Sequence, residues 1–178
     1  MKTLFFVSTL SAALFSLNVS ANQNVTLSLE GEFLSGTCDV GINDGAADAT
    51  VTLPVVEVQE LNRKKIAGTT PFHFTYTNCS WPSTKTVQVY FEGGSSVDTS
   101  TYYLKNTGGS ATGVELVLNT PGGNDIHPGT DTQAGGDSFP SGSYTSGDFK
   151  VSYITTDTLG AATPGSVTSY VVYHLDYQ

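Results

Sequence analysis

The sequence predicts an all-β sandwich, and three observations carry that prediction. Apolar residues recur at every second position in most of the hydrophobic stretches. Clusters of Gly, Pro, Asn and Ser separate those stretches. No segment keeps an apolar period long enough for a substantial helix. The chain's 178 residues leave room for one domain with a sizeable core.

The chain opens with a secretory leader. Lys2 is its positive end, residues 4–17 are mostly apolar, and Val19-Ser20-Ala21 offers small residues for cleavage after Ala21. Asn18 and Ser20 cut the run short of the roughly 20 apolar residues a membrane span needs. The domain reading is therefore a signal over 1–21, an N-terminal arm over 22–33 and a body over 34–178. No span is expected once the leader is removed. Removing Lys2 turns the net charge from −9 to −10. Such a surface repels phosphate backbones and anionic lipid, so nucleic acid is excluded as a partner.

The arm alternates Val25, Leu27, Leu29, Gly31 and Phe33 against Thr26, Ser28, Glu30 and Glu32. Gly31 interrupts the apolar face where a bare backbone permits close approach. Further strands are expected around Val51/Leu53/Val55, Phe72/Phe74/Tyr76, Val87/Val89/Phe91, Val114/Leu116/Leu118 and Phe149/Val151/Tyr153. Only residues 58–66 suit a helical turn or two, with Lys64 and Lys65 on a solvated face. Residues 120–146 read as a Gly-rich, polar connection. Its aspartates lack the spacing of a calcium loop.

The last stretch is the most clearly patterned. Val167, Ser169, Val171, Tyr173, Leu175 and Tyr177 form one face, and Thr168, Tyr170, Val172, His174, Asp176 and Gln178 the other. An open aromatic strand at a chain end invites pairing. Two readings stand at this point: an ordinary last strand already paired on both sides, or a strand kept open for a partner.

Cys38 and Cys79 are an isolated pair in an exported chain, most simply a disulfide. No nucleophile elbow, zinc helix or phosphate-cradling motif is present, so no catalytic residue, metal ligand or cofactor is assigned.

In order and spacing, these features resemble the chaperone–usher pilins, most closely the subunits of type 1-like fimbriae. The resemblance spans essentially the whole chain. It rests on the arm running into Thr37-Cys38-x-Val40 and on Phe72-x-Phe74-x-Tyr76-x-x-Cys79. It rests also on Gly113 to Leu116 ahead of Asn119-Thr120-Pro121-Gly122-Gly123, on Gly165 fourteenth from the end, and on the penultimate Tyr177.

What the resemblance implies is an incomplete immunoglobulin-like sandwich lacking its final strand, completed by a donor strand from a neighbouring subunit or a chaperone. Val25, Leu27, Leu29, Gly31 and Phe33 would be the donor strand. Gly165, Val167, Val171, Tyr173, Leu175, Tyr177 and Gln178 would form the acceptor groove and the strand a chaperone binds. The implied partners are a periplasmic pilus chaperone, an outer-membrane usher and neighbouring pilin subunits. The implied destination is the cell surface by way of the periplasm. The expected role is a structural, non-enzymatic fimbrial subunit supporting adhesion, with a shaft subunit favoured over a minor adaptor. A carbohydrate-binding subunit is the alternative, with Trp81, Tyr102 and Tyr103 as its candidate aromatic platforms.

Overall fold

The computed structural model describes residues 25–32, 38–81, 85–130, 133, 137–156 and 158–178. The leader, Phe33 and the Thr37 that precedes the first cysteine lie outside these. Along the chain run β1 (Val25–Glu32), β2 (Asp39–Ile42), β3 (Ala49–Leu53), α1 (Val58–Lys64), β4 (Ile66–Phe72), β5 (Phe74–Cys79) and β6 (Lys85–Phe91). There follow β7 (Leu104–Lys105), β8 (Glu115–Asn119), β9 (Asp125–Ile126), β10 (Asp137–Phe139), β11 (Gly142–Thr145), β12 (Phe149–Ile154) and β13 (Thr168–Tyr177).

Three ladders make two facing layers. One layer has the order β10-β6-β13-β1-β3. The other is built from β11-β5-β2 and from β4-β12-β8-β7, with β9 paired to β8. These two ladders join at His73, where the Phe-rich stretch expected as one strand breaks into β4 and β5. Ser146 bridges the break: its N–H donates to the Phe74 carbonyl at 2.9 Å, and its hydroxyl accepts from the Phe74 N–H at 2.9 Å. The joint aims Phe74 across the sandwich at Tyr173 and Phe91, with ring centroids 5.0 and 6.4 Å apart. Edge-on and tilted rings of this kind suit the aromatic quadrupole.

Local chemistry explains where elements stop. Lys65 takes a left-handed conformation (φ 69°) and its N–H caps the Leu61 carbonyl, so the helix ends and β4 begins at once. Pro54 follows β3 and has no N–H to donate, which ends the expected Val51/Leu53/Val55 alternation. Val55 is accordingly exposed. Within the polar stretch over 120–146, the described residues supply β9, β10 and β11, paired to β8, β6 and β5. Cys38 and Cys79 form the expected disulfide and tie the start of β2 to the end of β5.

Candidate functional site: the groove at the last strand

β13 shows the alternation its sequence predicts. Val167, Ser169, Val171 and Tyr173 are buried, Leu175 and Tyr177 half-buried, while Asp176 and Gln178 are exposed. On one side β13 pairs antiparallel with β6, from Tyr173 opposite Phe91 to Tyr177 opposite Val87. Gln178 continues that ladder by exchanging backbone hydrogen bonds with Thr86 at 2.9 and 3.0 Å.

The other side of β13 is filled by the chain's own N-terminal arm. β1 runs parallel to β13, with Leu27 opposite Ser169, Leu29 opposite Val171 and Gly31 opposite Tyr173. It runs antiparallel to β3, with Val25 opposite Leu53 and Leu27 opposite Val51. Both edges of the last strand are therefore occupied, one of them by the segment expected to serve a neighbour. Leu27 and Leu29 are 0% and 1% exposed, and burying such side chains stabilises by about 2 kcal/mol each. The groove they fill has β13 and β3 as its walls. The Val51/Leu53 alternation marks β3 as a strand in the sequence, but its partner, the arm, is not legible there.

The two ends of the groove are built differently. At the start of β13 a loop clasps the strand. The Asn106 amide donates to the Ala111 and Ser166 carbonyls at 2.9 and 3.0 Å, and its oxygen accepts from the Gly109 and Thr168 N–H groups at 2.8 and 2.9 Å. Gly165 lies in this clasp, where a Cβ would sit 2.3 Å from the Ala111 nitrogen, so only a bare backbone fits. Nothing in the sequence singles out Asn106, because its partners lie up to 62 residues away.

At the far end Tyr177 packs edge-on against Trp81, with centroids 6.4 Å apart. Trp81 is buried: it lies against Phe139 at 5.3 Å, and its indole N–H donates to the Phe139 carbonyl at 3.3 Å. It closes the core and is not an exposed sugar platform, which corrects its candidacy for that role. The Tyr177 hydroxyl and the Ser169 hydroxyl are buried without a hydrogen-bond partner among the described residues. Burial raises the Tyr177 phenol above its ordinary range. It does the same, more strongly, to Tyr173, whose hydroxyl donates to the Ala47 carbonyl at 3.0 Å.

The histidines and the remaining aromatic platform candidates lie away from the groove floor. His174 points outward, stacks on Tyr90 at 4.8 Å and contacts the Glu92 carboxylate at 2.5 Å. His73 lies 3.7 and 3.8 Å from the Asp44 and Asp148 carboxylates at the β4–β5 break. Tyr102 is exposed and stacks on His127 at 4.9 Å. Tyr103 is half-buried, with its hydroxyl 3.4 Å from Asp125. No helix among the described residues is long and apolar enough to cross a membrane.

Comparison with known proteins agrees with this geometry. The family described as "Fimbrial protein" matches residues 27–178. The chain is 34% identical to the major fimbrial subunit SMF-1 of Stenotrophomonas maltophilia, over 85% of this chain and 91% of that one. It is 31% identical to the F17 fimbrial protein of Escherichia coli, over 99% of each. Among solved structures it shares the fold of the P pilus rod subunit PapA, with a TM-score of 0.57 and 17% identity over 80% of this chain and all of the other. A chaperone–usher pilus whose structure addresses rod uncoiling matches at a TM-score of 0.60 and 15% identity, over 99% of this chain and all of that one. A matched family over nearly the whole body and a sandwich whose last strand borders a terminal arm lead to one conclusion: the chain belongs to the fimbrial protein family, as a chaperone–usher pilin and a structural, non-enzymatic subunit of a bacterial fimbria.

Proposed function

We propose that this subunit polymerises head to tail, the arm over 22–33 of one copy entering the groove between β13 and β3 of the next. One observation carries this reading. The strand that buries Leu27 and Leu29 against β13 is the chain's terminal arm, joined to the body only through the short connector ahead of Cys38. A terminal strand can be exchanged without unfolding the sandwich, and a repeated head-to-tail contact yields an open filament. Main-chain pairing supplies affinity, and alternate side chains entering the groove supply selectivity.

Before assembly the same groove is the natural seat for a strand from a periplasmic chaperone. The C-terminal end at Tyr177 and Gln178 borders it, and an outer-membrane usher is where exchange would occur. Passage through the periplasm follows from the predicted leader. A shaft-forming role is favoured, because a relative similar over most of both chains is named a major fimbrial subunit. A carbohydrate-binding role has only Tyr102 and Tyr103 left to rest on.

Gly31 provides the test. It lies opposite Tyr173 in the ladder, and a long side chain there would have to enter the groove. The variant Gly31→Arg is expected to abolish fibres while leaving the chaperone-bound subunit at normal periplasmic levels. Wild-type fibres from Gly31→Arg, seen by electron microscopy, would remove residues 25–33 as the donor strand.

A further inference from the structure

Tyr102 sits in a backbone conformation that its side chain disfavours. Its φ is 62°, in the left-handed region where a bulky residue is an outlier. Glycine would take that conformation freely. The ring is not placed there to fill the core, because Tyr102 is 38% exposed.

The loop over 98–103 holds the ring in a fixed position. The Tyr102 N–H donates to the Asp98 carbonyl at 2.8 Å, and the Asp98 N–H to the Tyr103 carbonyl at 2.9 Å. The Asp98 carboxylate accepts from the Ser100 N–H at 2.7 Å and also from the Ser100 hydroxyl. The Thr101 hydroxyl donates to the buried Glu115 carboxyl at 2.8 Å and accepts from the Tyr103 N–H at 3.2 Å. The Tyr102 ring then stacks on His127, with centroids 4.9 Å apart and planes 15° from parallel. An imidazole backs one side of the ring, so its exposed area is the other side and the edge.

Polar groups lie beside this platform. Asp125 and His127 flank the buried Ile126, so their side chains leave the same side of β9, about 7 Å apart along the strand. The exposed Asp125 carboxylate accepts from the Asn119 amide at 2.7 Å and from the Tyr103 hydroxyl at 3.4 Å. Both donors are neutral, and a carboxylate has capacity for further hydrogen bonds. The Tyr103 oxygen adds an acceptor, and the second Asn119 amide hydrogen adds a donor.

We infer that the loop over 98–103 and β9 form a binding site for a neutral pyranose unit of a glycan. The apolar C–H face of the sugar stacks on Tyr102, and its hydroxyls bond Asp125, Asn119 and Tyr103. A hydroxyl both donates and accepts, which matches this mixture of groups. An ammonium or guanidinium only donates and would leave the Asn119 amide unused. An anionic sugar is repelled by Asp125 and by the chain's net charge of −9. The strained backbone is the cost of presenting the ring already in place. One stacked ring and a few exposed hydrogen bonds give a dissociation constant on the order of 1 mM. Repetition along a fibre, which rests on the polymerisation proposed above, turns such weak contacts into avidity. The site itself does not depend on strand exchange.

The test uses the full mature chain, saturation-transfer NMR and three probes: methyl β-galactopyranoside, methyl β-glucopyranoside and methyl α-mannopyranoside. Saturation is expected to reach the ring C–H protons of at least one glycoside. Tyr102→Gly is expected to abolish that transfer and to leave Tm at or above the wild-type value, because it removes the ring and the strain together. Asp125→Asn should raise the dissociation constant about tenfold. It is an exposed change, and it decides the matter if Tyr102→Gly lowers Tm. Transfer to none of the glycosides, or transfer that survives Tyr102→Gly, would overturn the site. So would Tyr102-dependent binding of N-acetyl-lysine amide without binding of any glycoside. Both variants should still form fibres, so the glycan site and strand exchange can each fail alone.

Discussion

At the scale of single residues, Glu115 shows how burial alone makes a titratable group matter. It is 4% exposed. Its carboxyl is pushed above the ordinary carboxylate range by burial and, less strongly, by the Asp98 charge. The Thr101 hydroxyl, which donates to it at 2.8 Å, and the Lys105 ammonium act in the opposite direction. A carboxyl whose folded pKa is raised contributes stability that is fully present below its unfolded pKa, about 4.5. That contribution is lost as pH rises through the folded value, because the folded state then holds the proton more tightly than the unfolded one. Glu115→Gln keeps an acceptor for Thr101 and removes the charge. It is expected to raise Tm at pH 7 by about 2–4 °C, the shift that about 1 kcal/mol gives a domain of this size. The gain should vanish below about pH 4 in the same thermal melts. A gain that persists in acid would point to packing as its cause.

At the scale of elements, β1 differs from the other strands in belonging to the end of the chain while completing the middle of a layer. Its hold is mostly apolar: Leu27 and Leu29 are fully buried between β13 and β3. Truncating such a leucine costs about 2–5 kcal/mol. Leu29→Ala is expected to speed arm release as well as lower stability, because the lost contact is one the arm must break to leave. Hydrogen exchange should show β1 and the facing amides of β13 and β3 losing protection together. β12 and β8, which lie in the other layer, should be unchanged. Uniform loss across both layers would mean that the arm is not a separate cooperative unit. The clasp by Asn106 and Gly165 ties the start of β13 to the loop over 106–111.

At the scale of the whole molecule, the disulfide does two jobs. It closes a separation of 41 residues, worth roughly 4 kcal/mol through the unfolded state's lost entropy. It also ties the start of β2 to the end of β5, two residues from the Trp81 ring that packs on Tyr177. Cys38→Ser is expected to lower the Tm of the monomer and the periplasmic yield of the chaperone-bound subunit. Yield and Tm equal to the wild type would show that the staple contributes nothing to either state. The net charge of −9 over the full chain works against non-specific association between copies.

Which face of each strand turns inward was legible in the sequence, because alternation is local and follows from the pleat. Leu27, Leu29, Val171 and Tyr173 were assigned to the core on that basis, and they are buried there. The short helix, the cysteine pair and the last strand were legible for similar reasons of local pattern or simple counting. Resemblance to a family then supplied the arm and the groove as a pair. Tertiary structure alone decided the rest. Trp81 could be a surface platform or a lid on the core, and Phe139, 58 residues later, makes it a lid. Within the polar segment over 120–146, β9, β10 and β11 pair with β8, β6 and β5, partners that no local pattern announces. The arm's partners, β13 in parallel and β3 in antiparallel, were decided there too. Pairing joins residues far apart in the chain, and no local pattern records its partner, whereas the face a side chain takes is set within two residues of itself.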